Sequence, residues 1–556
     1  MADFDVIVVG SGISGGWAAK ELTEAGLKVL LLDRGRSVQH GEYPTEHLPP
    51  WSFKFRGLGD RKKYERDYPV QKQCSTFQES SEHFFVNDTE NPYQVEDGTD
   101  FSWIRGYQLG GRSLTWGRSS LRYGEINFTE ILRDGHGAHW PIRYRDLAPW
   151  YAHVEKFIGV CGQAAGLPQM PDGEFLPPMP MNCVEEHVAA VIRQRYDRVM
   201  MPGRGAVLTQ AHMGRAPCHY CGPCYRGCST SSYFSTQSST LPAAMATGNL
   251  TVLTDVIVTA IEYDATAARA SGIRVIDAKT GTGRVLSARI IFLNASTLAT
   301  TQILLNSVSE SFPLGLANSS GMLGCNLMDH VIGPMAVGRF EGFSDHQTFG
   351  NRPVDVLIPR FRNLGGEQNS FLRGYHYQGS AIRASWAAGT QMQELGADLK
   401  ARLRKPGEWT MFLGGIGECL PNPKNRVTLD RRTDRWGVPQ LRINFSWSEN
   451  ERRMGIDMAN EAAAMLRAAG ATDIQSSSEL MAGGTCIHEA GTARMGNDPA
   501  VSVLDANNRC HDVPNLFVTD GACLPSSPNQ NPSLTYMALT ARAAHFARGM
   551  LAEGQL

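Results

Sequence analysis

Several protein classes can be set aside from what the 556-residue chain lacks. Its formal net charge is −2 and it carries no basic tract or arginine-rich helix, which argues against binding to nucleic acid. Its longest apolar runs have the length of strands, so no transmembrane segment is expected. A charged leader with an apolar segment is also lacking, because the first strand-like run starts at Phe4, and taken alone this predicts a cytoplasmic protein.

Cysteine is scarce, since twelve residues in a chain of this length are too few for a fold held together by disulfides. Only four of them form a pattern, in "PCHYCGPCYRGCST" at 217–230: Cys218, Cys221, Cys224 and Cys228. Their spacing, C-x2-C-x2-C-x3-C, matches the run with which bacterial ferredoxins hold an iron–sulfur cluster. Structural zinc would use two separated pairs, and disulfides would strain such short loops, so the cluster is favoured over these two alternatives. The number of cysteines that bind the cluster, three or four, stays open, because Ser229 stands where ferredoxins have proline.

The rest of the composition is that of an ordinary globular chain. Hydrophobic residues make up 42% and charged residues 19%, and neither an internal repeat nor a low-complexity tract is visible. At roughly 150 residues per domain, the length allows two to four domains. The chain is therefore long enough for a large core and for more than one domain.

The N-terminal stretch "DFDVIVVGSGISGGWAAKELTEAGLKVLLLDRG" predicts a strand, a glycine turn, an amphipathic helix and a second strand. In such a βαβ unit Gly10 takes the tight turn, Gly12 lets the backbone approach a pyrophosphate and Gly15 permits close packing of helix on strand. Asp33, at the end of the second strand, is placed to hold ribose hydroxyls. The predicted nucleotide contacts of this unit are Gly10, Gly12, Ser14, Gly15, Asp33 and Arg34.

Two distant segments favour FAD over NAD as the nucleotide. The first is "GYQLGGRSLTWGRSSLRY", in which a glycine pair can pass tightly against a flavin. The second is "NLFVTDGACLPSSPNQNPSLTYMALTARAA", in which an apolar strand ends on an acid and a helix begins near Ser533, an arrangement that suits a ribityl–pyrophosphate chain. The further predicted FAD contacts are Gly110, Gly111, Ser113, Trp116, Gly117, Val256, Ala295, Asp520, Gly521, Pro532 and Ser533.

Seven segments in order resemble the glucose–methanol–choline (GMC) oxidoreductase family: "GSGISGG", "LGGRSLTWG", "NASTLATTQILLNS", "GMLGCNLMDH", "LPNPKNRVTLD", "HEAGTARMG" and "VTDGACLPSSPNQNP". The resemblance implies an α/β fold, in which a Rossmann-like FAD-binding domain is interleaved with a sheet-based α+β substrate domain. The FAD-binding domain is expected at 1–335 plus 485–556, with the cysteine segment at 215–232, and the substrate-binding domain at 336–484.

The same resemblance implies the catalytic pair. His488, in "TCIHEAGT", matches the catalytic base, and Asn531, in "NQNPSLT", matches the position that orients the substrate hydroxyl. Glu489 stands where the family often has proline, and a carboxylate close to the imidazole would raise its pKa. Thr115 stands where related pyranose oxidases have the histidine that bonds to the flavin, so non-covalent FAD is expected.

Within the family the chain is similar to iron–sulfur-containing bacterial sugar dehydrogenases, above all to those that act on glucosides at C3. This implies oxidation of the C3 hydroxyl of glucose, glucosides or disaccharides to 3-keto products, with electrons passing from FAD through a cluster, [3Fe–4S] rather than [4Fe–4S], to an acceptor such as cytochrome c. The alternatives are glucose 1-dehydrogenase, gluconate 2-dehydrogenase or polyol dehydrogenase activity, or a non-catalytic flavin and iron–sulfur electron-transfer subunit. Relatives pair with a small subunit bearing a twin-arginine signal, which implies co-export to the periplasm; a cytoplasmic location is the alternative.

Overall fold

The computed structural model describes residues 4–366, 369–384, 389 and 392–556. The helices in that part of the chain are α1 Ile13–Glu24, α2 Arg61–Asp67, α3 Glu125–Asp134, α4 Tyr144–Ile158, α5 Cys183–Tyr196, α6 Thr240–Ala246, α7 Thr297–Asn306, α8 Gly396–Leu403, α9 Glu449–Ala468 and α10 Ser533–Ala552. Among the described residues, no helix combines the length and the apolar composition needed to cross a bilayer.

The strands are β1 Phe4–Val9, β2 Val29–Leu32, β3 Gln94–Val95, β4 Val160–Cys161, β5 Phe175–Leu176, β6 Met201–Pro202, β7 Leu250–Leu253, β8 Val256–Asp264, β9 Arg269–Asp277, β10 Gly283–Leu286, β11 Ala288–Leu293, β12 Met335–Phe340, β13 Val356–Ile358, β14 Tyr375–Arg383, β15 Trp409–Gly417, β16 Arg426–Thr433, β17 Pro439–Asn444, β18 Thr472–Ser477 and β19 Leu516–Val518.

The first layer is a parallel sheet in the order β19-β11-β1-β2-β7. Its strands are continuous apolar runs, because both faces are covered: Val6 and Val8 pack with α1 and α10, and Ile7 packs into the opposite core. The carboxyl ends of β1, β11 and β19 therefore meet at one edge, where a doubly wound sheet binds its ligands.

The second layer is an antiparallel sheet in the order β18-β12-β15-β14-β13-β6. The helix α9 covers one face, to which β14 turns the buried Tyr375 and Tyr377, and the Tyr377 hydroxyl donates to the Met458 carbonyl over 2.6 Å. Because side chains alternate along a strand, His376 and Gln378 lie on the opposite face, towards the first layer.

The core of the second layer includes residues from an earlier part of the chain. Val184, Val188 and Ile192 of α5 pack with α9, and β6 pairs with β13 at the sheet edge. These elements precede residue 336 in the sequence. The division into domains at 1–335 plus 485–556 and 336–484 stays a prediction.

Candidate active site

A cavity of about 490 Å³ lies at the carboxyl edge of the parallel sheet and reaches the second layer. Most residues predicted to bind FAD or substrate line it: Gly10, Gly12, Ser14, Asp33, Arg34, Gly111, Ser113, Trp116, Gly117, Val256, Ala295, His488, Asp520, Gly521, Asn531 and Ser533. Residues from all parts of the chain thus surround one space, although their individual roles stay predictions.

Three of the predicted contacts do not line the cavity. A Cβ atom on Gly15 would lie 1.8 Å from the Gly10 carbonyl oxygen, so Gly15 lets α1 pack on the turn. Gly110 has a φ of +92°, which favours glycine, and its N–H donates to Ser11 Oγ over 2.7 Å. Pro532 stands just before α10. These residues shape the walls behind the cavity.

Two helices begin at the cavity without a side-chain cap. Gly12 precedes α1 and would accept a Cβ atom without contact, so its surface is open, and Pro532 precedes α10. The first N–H groups of a helix have no partner within the helix, and together they attract anions. This arrangement fits the phosphates of a dinucleotide.

The two acids at the strand ends are engaged within the protein. Asp33 accepts from the backbone N–H of Ser11 over 3.1 Å and of Gly35 over 2.7 Å, and burial raises its pKa. Asp520 accepts from Thr300 Oγ1 over 2.5 Å, and burial raises its pKa to about 6. Asp33 therefore ties the second strand to the glycine turn, and its contact with a ribose stays a prediction.

Five polar atoms of cavity residues are buried and have no hydrogen-bond partner in the described part of the chain. They are Arg34 Nε, Arg105 Nε, Arg118 Nε, Asn294 Nδ2 and the Tyr536 hydroxyl. Buried polar groups of folded proteins are nearly always paired. A large polar ligand in this cavity would supply the missing partners, so the residues present fit a flavin nucleotide.

The loop that carries His488 is held by one carboxylate. Asp329 accepts from the backbone N–H groups of Gly484 over 2.8 Å, Cys486 over 3.2 Å and His488 over 3.0 Å. Ile487 has a φ of +64°, a strained conformation for a β-branched residue, and these bonds help to maintain it. Burial, with a contribution from the charge of Glu489, raises the pKa of Asp329 to about 7.

The hydrogen bonds of His330 determine which nitrogen of His488 carries the proton. His330 Nε2 lies 2.7 Å from the carbonyl oxygen of Pro528, which can only accept, so this nitrogen carries the hydrogen. Burial lowers the pKa of His330 to about 4, so at neutral pH its Nδ1 is an acceptor. His488 Nδ1, 2.9 Å away, must then be the donor.

His488 is consequently a neutral imidazole with an unprotonated Nε2. Burial, followed by the charges of His330 and Arg112, lowers its pKa well below the usual value. The carboxylate of Glu489 pairs with Arg112, whose Nη2 lies 3.1 Å from Oε2. The expectation that Glu489 raises the pKa of the imidazole is therefore wrong.

Asn531 is oriented by Gln378 of β14. Gln378 Nε2 donates to Asn531 Oδ1 over 2.8 Å and to Ser119 Oγ over 3.1 Å. Since the amide oxygen is turned to Gln378, the Asn531 NH2 group is left without a protein partner in the described part of the chain. The cavity thus offers one acceptor, on His488, and one donor, on Asn531.

Comparison with known protein families identifies the family of this chain. The sequence model of the GMC oxidoreductases matches residues 4–332 in its N-terminal part and residues 421–540 in its C-terminal part. The chain belongs to the GMC oxidoreductase family. Members of this family bind FAD, which agrees with the glycine turn and the two helix N-termini at the cavity.

Relatives that match nearly the whole chain are GMC enzymes that act on alcohols. It is 28% identical to 2-methyl-1,2-propanediol dehydrogenase of Mycolicibacterium austroafricanum, over 98% of this chain and 94% of that protein. It is 26% identical to the fructose dehydrogenase large subunit of Gluconobacter japonicus, over 99% and 98%. The structure of formate oxidase from Aspergillus oryzae superposes with a TM-score of 0.62 at 14% identity, over 99% of both chains. The predicted family and the α/β fold class are confirmed.

The cysteine segment of this GMC oxidoreductase lies beside the cavity. Cys218, Cys221, Cys224 and Cys228 all line a separate space of about 20 Å³. Burial raises the pKa of the Cys224 thiol to about 11. Gly227 has a φ of +103°, and a Cβ atom there would lie 2.3 Å from the Tyr43 ring, so the turn requires glycine. Tyr225, between the last two cysteines, also lines the larger cavity.

Sequence reasoning missed several polar residues of the site. Asp329 and His330 end "GMLGCNLMDH", a segment used for the resemblance, and a buried acid–histidine pair there was a usable signal. His376 and Gln378 alternate with buried tyrosines on β14, a pattern that shows two faces but not the function of either. Arg112 and Arg118 stand in the second glycine segment, whose charged residues received no role.

Proposed function

We propose that this GMC oxidoreductase oxidises a secondary alcohol of a sugar, the C3 hydroxyl of glucose, glucosides or disaccharides, to the 3-keto product. The observation that carries the proposal is the unprotonated Nε2 of His488, which lines the same cavity as the Asn531 amide. Alcohol oxidation needs an acceptor for the hydroxyl proton and a donor that holds the hydroxyl oxygen. A sugar substrate is supported by relatives such as the fructose dehydrogenase large subunit.

In this mechanism His488 Nε2 accepts the hydroxyl proton while the Asn531 NH2 group donates to the same oxygen. The hydrogen bond to His330 keeps the proton of His488 on Nδ1 throughout. The hydrogen bond from Gln378 to the Asn531 oxygen keeps the Asn531 NH2 group turned away from Gln378. FAD, when bound, supplies the acceptor for the hydride of the carbinol carbon. Thr115 lines the cavity and cannot attach the flavin as a histidine would, which supports non-covalent FAD.

The choice of C3 rests on the resemblance. Oxidation at another carbon, as by glucose 1-dehydrogenase, gluconate 2-dehydrogenase or a polyol dehydrogenase, is the alternative with the same chemistry. A non-catalytic flavin and iron–sulfur electron-transfer subunit is the alternative from another class. The acceptor on His488 and the donor on Asn531 argue against that second alternative.

The cysteine segment is proposed to hold an iron–sulfur cluster, [3Fe–4S] rather than [4Fe–4S]. Four thiolates around one zinc ion, at about 2.3 Å from it, would lie about 3.8 Å apart. Among the described residues, the groups of three ligand atoms within 4.8 Å of one another include no three of these cysteines. All four cysteines nevertheless line one small space, so they can converge on a cluster of several iron atoms.

A buried cation beside the cysteines supports the cluster further. Arg118 is 3% exposed and, among the described residues, forms no direct ion pair, although its charge partly offsets the effect of burial on the pKa of the buried Asp355. A buried cation with so little direct pairing is disfavoured. Its guanidinium packs on Tyr225 and Tyr233, and the charge of Cys224 acts to raise the pKa of Arg118 against the lowering effect of burial. Thiolates bound to a cluster would place further negative charge beside this cation. Such a cluster would supply single-electron transfer to an external acceptor such as cytochrome c.

We also propose that the chain works with a small subunit whose twin-arginine signal carries both to the periplasm. A folded, cofactor-loaded enzyme requires an export route that accepts folded proteins. Co-expression with a neighbouring gene for such a subunit, followed by cell fractionation, should move the enzyme to the periplasm. If it stays in the cytoplasm, the cytoplasmic alternative holds.

The experiment that tests the proposed reaction is a dye-reduction assay with glucose, methyl glucoside, gluconate and polyols, followed by identification of the keto position by NMR. We expect activity with glucose and glucosides and a 3-keto product. His488→Ala should retain flavin and lose turnover by about 10²- to 10⁴-fold. If the flavin-loaded wild type oxidises none of the sugars, the proposal is refuted. A keto group at another carbon would instead support the alternative enzyme that oxidises that position.

A further inference from the structure

Cys486 lies in the active site, but the proposed reaction gives it no role. Its Sγ atom is 3.2 Å from His488 Nδ1, which is itself 2.9 Å from His330 Nδ1. The ligand atoms of these three residues all lie within 4.8 Å of one another, the one such group found among the described residues. A thiol and two imidazoles are the donors that zinc and other thiophilic divalent cations prefer.

The distances are close to those that a bound ion would require. Zinc holds thiolate sulfur at about 2.3 Å and imidazole nitrogen at about 2.0–2.1 Å, so tetrahedral geometry places the donor atoms about 3.3–3.6 Å apart. The observed separations of 2.9 and 3.2 Å are shorter by a few tenths of an ångström. Small side-chain rotations would therefore admit an ion in place of the hydrogen bonds.

The surroundings also suit a cation. His330 already donates its Nε2–H to the Pro528 carbonyl, which is how metal-bound histidines are usually held. Asp329 accepts from the backbone N–H groups of Cys486 and His488 and so holds two of the three donors in place. Cys486 and His488 line the cavity, which provides an entry path and room for a fourth ligand from solvent.

We propose that His330, Cys486 and His488 form a binding site for Zn²⁺ or a similar thiophilic cation, and that occupation of this site switches off the oxidation. The Cys486 thiol releases its proton to solvent when sulfur binds the ion. His488 binds through Nδ1, and because a neutral imidazole has a single N–H, its proton moves to Nε2. No electron is transferred, and Nε2 changes from an acceptor into a donor. The loss of activity rests on the proposed function, whereas the binding of the ion does not.

The test is carried out on the flavin-loaded holoenzyme with Cd²⁺, whose bonds to thiolate give an ultraviolet charge-transfer band. We expect one ion to bind at this site, to abolish flavin reduction by sugar and to be removed by EDTA, while dithionite still reduces the flavin. Zn²⁺ should compete with Cd²⁺ and inhibit with kcat falling and KM nearly constant. Cys486→Ala should weaken Cd²⁺ binding about 10- to 100-fold or more.

The matched control is Cys74→Ala, because Cys74 lines the same cavity and its thiol contacts Thr76 instead of a histidine. Its affinity for Cd²⁺ should equal that of the wild type. Equal affinity of Cys486→Ala and the wild type would overturn the proposal, since the ion would then bind elsewhere, for instance in the cysteine run. Binding that depends on Cys486, in an enzyme that oxidises no sugar, would support the site and refute the proposed function instead.

Discussion

His488 owes its chemistry to the residues around it. An exposed imidazole would be half protonated near its ordinary pKa, about 6.5, and could present either nitrogen as the acceptor. Here burial, His330 and Arg112 lower the pKa, and the chain from Pro528 through His330 places the proton on Nδ1. A lower pKa makes the base weaker but keeps it unprotonated over a wider range of pH.

The pH dependence of the reaction follows from the protonation of His488. Protonation of His488 removes the acceptor, and a lowered pKa means that protonation occurs only at lower pH, so the acid limb is displaced downwards. The rate constant of flavin reduction by saturating sugar should therefore stay level as pH falls through about 6.5. Stopped-flow measurements from about pH 8 to about pH 5 would check this.

Asp329→Asn is the control for that measurement, since burial raises the pKa of Asp329 to about 7 and it titrates in the same range. An inflection that disappears in Asp329→Asn belongs to the carboxylate that holds the loop. A one-proton inflection near 6.5 that persists in this variant would contradict the displaced pKa of His488.

At the scale of elements, β14 joins the two layers at the active site. Its alternation turns Tyr375 and Tyr377 towards α9, and His376 and Gln378 towards the cavity. The strand is therefore anchored by packing on one face while the other face positions Asn531. Burial lowers the pKa of His376 to about 3, so this face carries no positive charge.

A substitution in β14 tests this positioning. In Gln378→Glu the new carboxylate can only accept, so the Asn531 amide should turn its NH2 group towards residue 378 and away from the cavity. The loss of one hydrogen bond to the hydroxyl is expected to lower kcat about tenfold, with flavin content unchanged. Steady-state kinetics and the flavin absorbance measure both quantities.

Ser380→Ala is the matched control, since Ser380 lies on the same strand two residues further and does not line the cavity. It should keep the wild-type kcat. If Gln378→Glu also keeps the wild-type kcat, Gln378 does not orient the NH2 group of Asn531.

At the scale of the whole molecule, one stretch of chain connects the two candidate redox sites. Trp116, Gly117 and Arg118 line the large cavity, and Arg118 packs between Tyr225 and Tyr233 of the cysteine region, with its Cζ 5.0 and 5.3 Å from the two ring centroids. Trp116 Nε1 donates to the Phe234 carbonyl over 2.9 Å. The cysteine segment is thus packed against the wall of the cavity.

The charge of Arg118 should affect the reduction potential of the proposed cluster. A cation beside the proposed cluster stabilises its reduced, more negative form, so Arg118→Gln should lower the reduction potential. The expected shift is on the order of 50 mV, since a one-electron couple changes by about 59 mV for each tenfold change in the equilibrium. A redox titration followed by low-temperature electron paramagnetic resonance measures it.

Arg226→Gln serves as the control, because Arg226 lies in the same segment but donates to the Leu48 carbonyl over 2.8 Å near the surface. The reduction potential should shift less in Arg226→Gln than in Arg118→Gln. An unchanged potential in iron-loaded Arg118→Gln would refute the role of this charge. Iron and sulfide analysis that finds neither element in the wild type would refute the cluster itself.

The sequence by itself determined the family, the α/β fold and the features with a local physical signature. The N-terminal βαβ unit is readable because strand, turn and helix are neighbours in the chain, and the cysteine run because its four cysteines are only a few residues apart. His488 and Asn531 were named from motifs, and the structure places both on one cavity.

Only the tertiary structure decided how these residues can act. His330 and His488 are separated by 158 positions, and Gln378 and Asn531 by 153, so no local pattern links either pair. The proton position on His488, the direction of the Asn531 amide and the burial of the Arg118 charge arise from burial and hydrogen bonding between distant segments. Such contacts form when the two layers pack, and their energies depend on solvent exclusion, which the order of residues does not display.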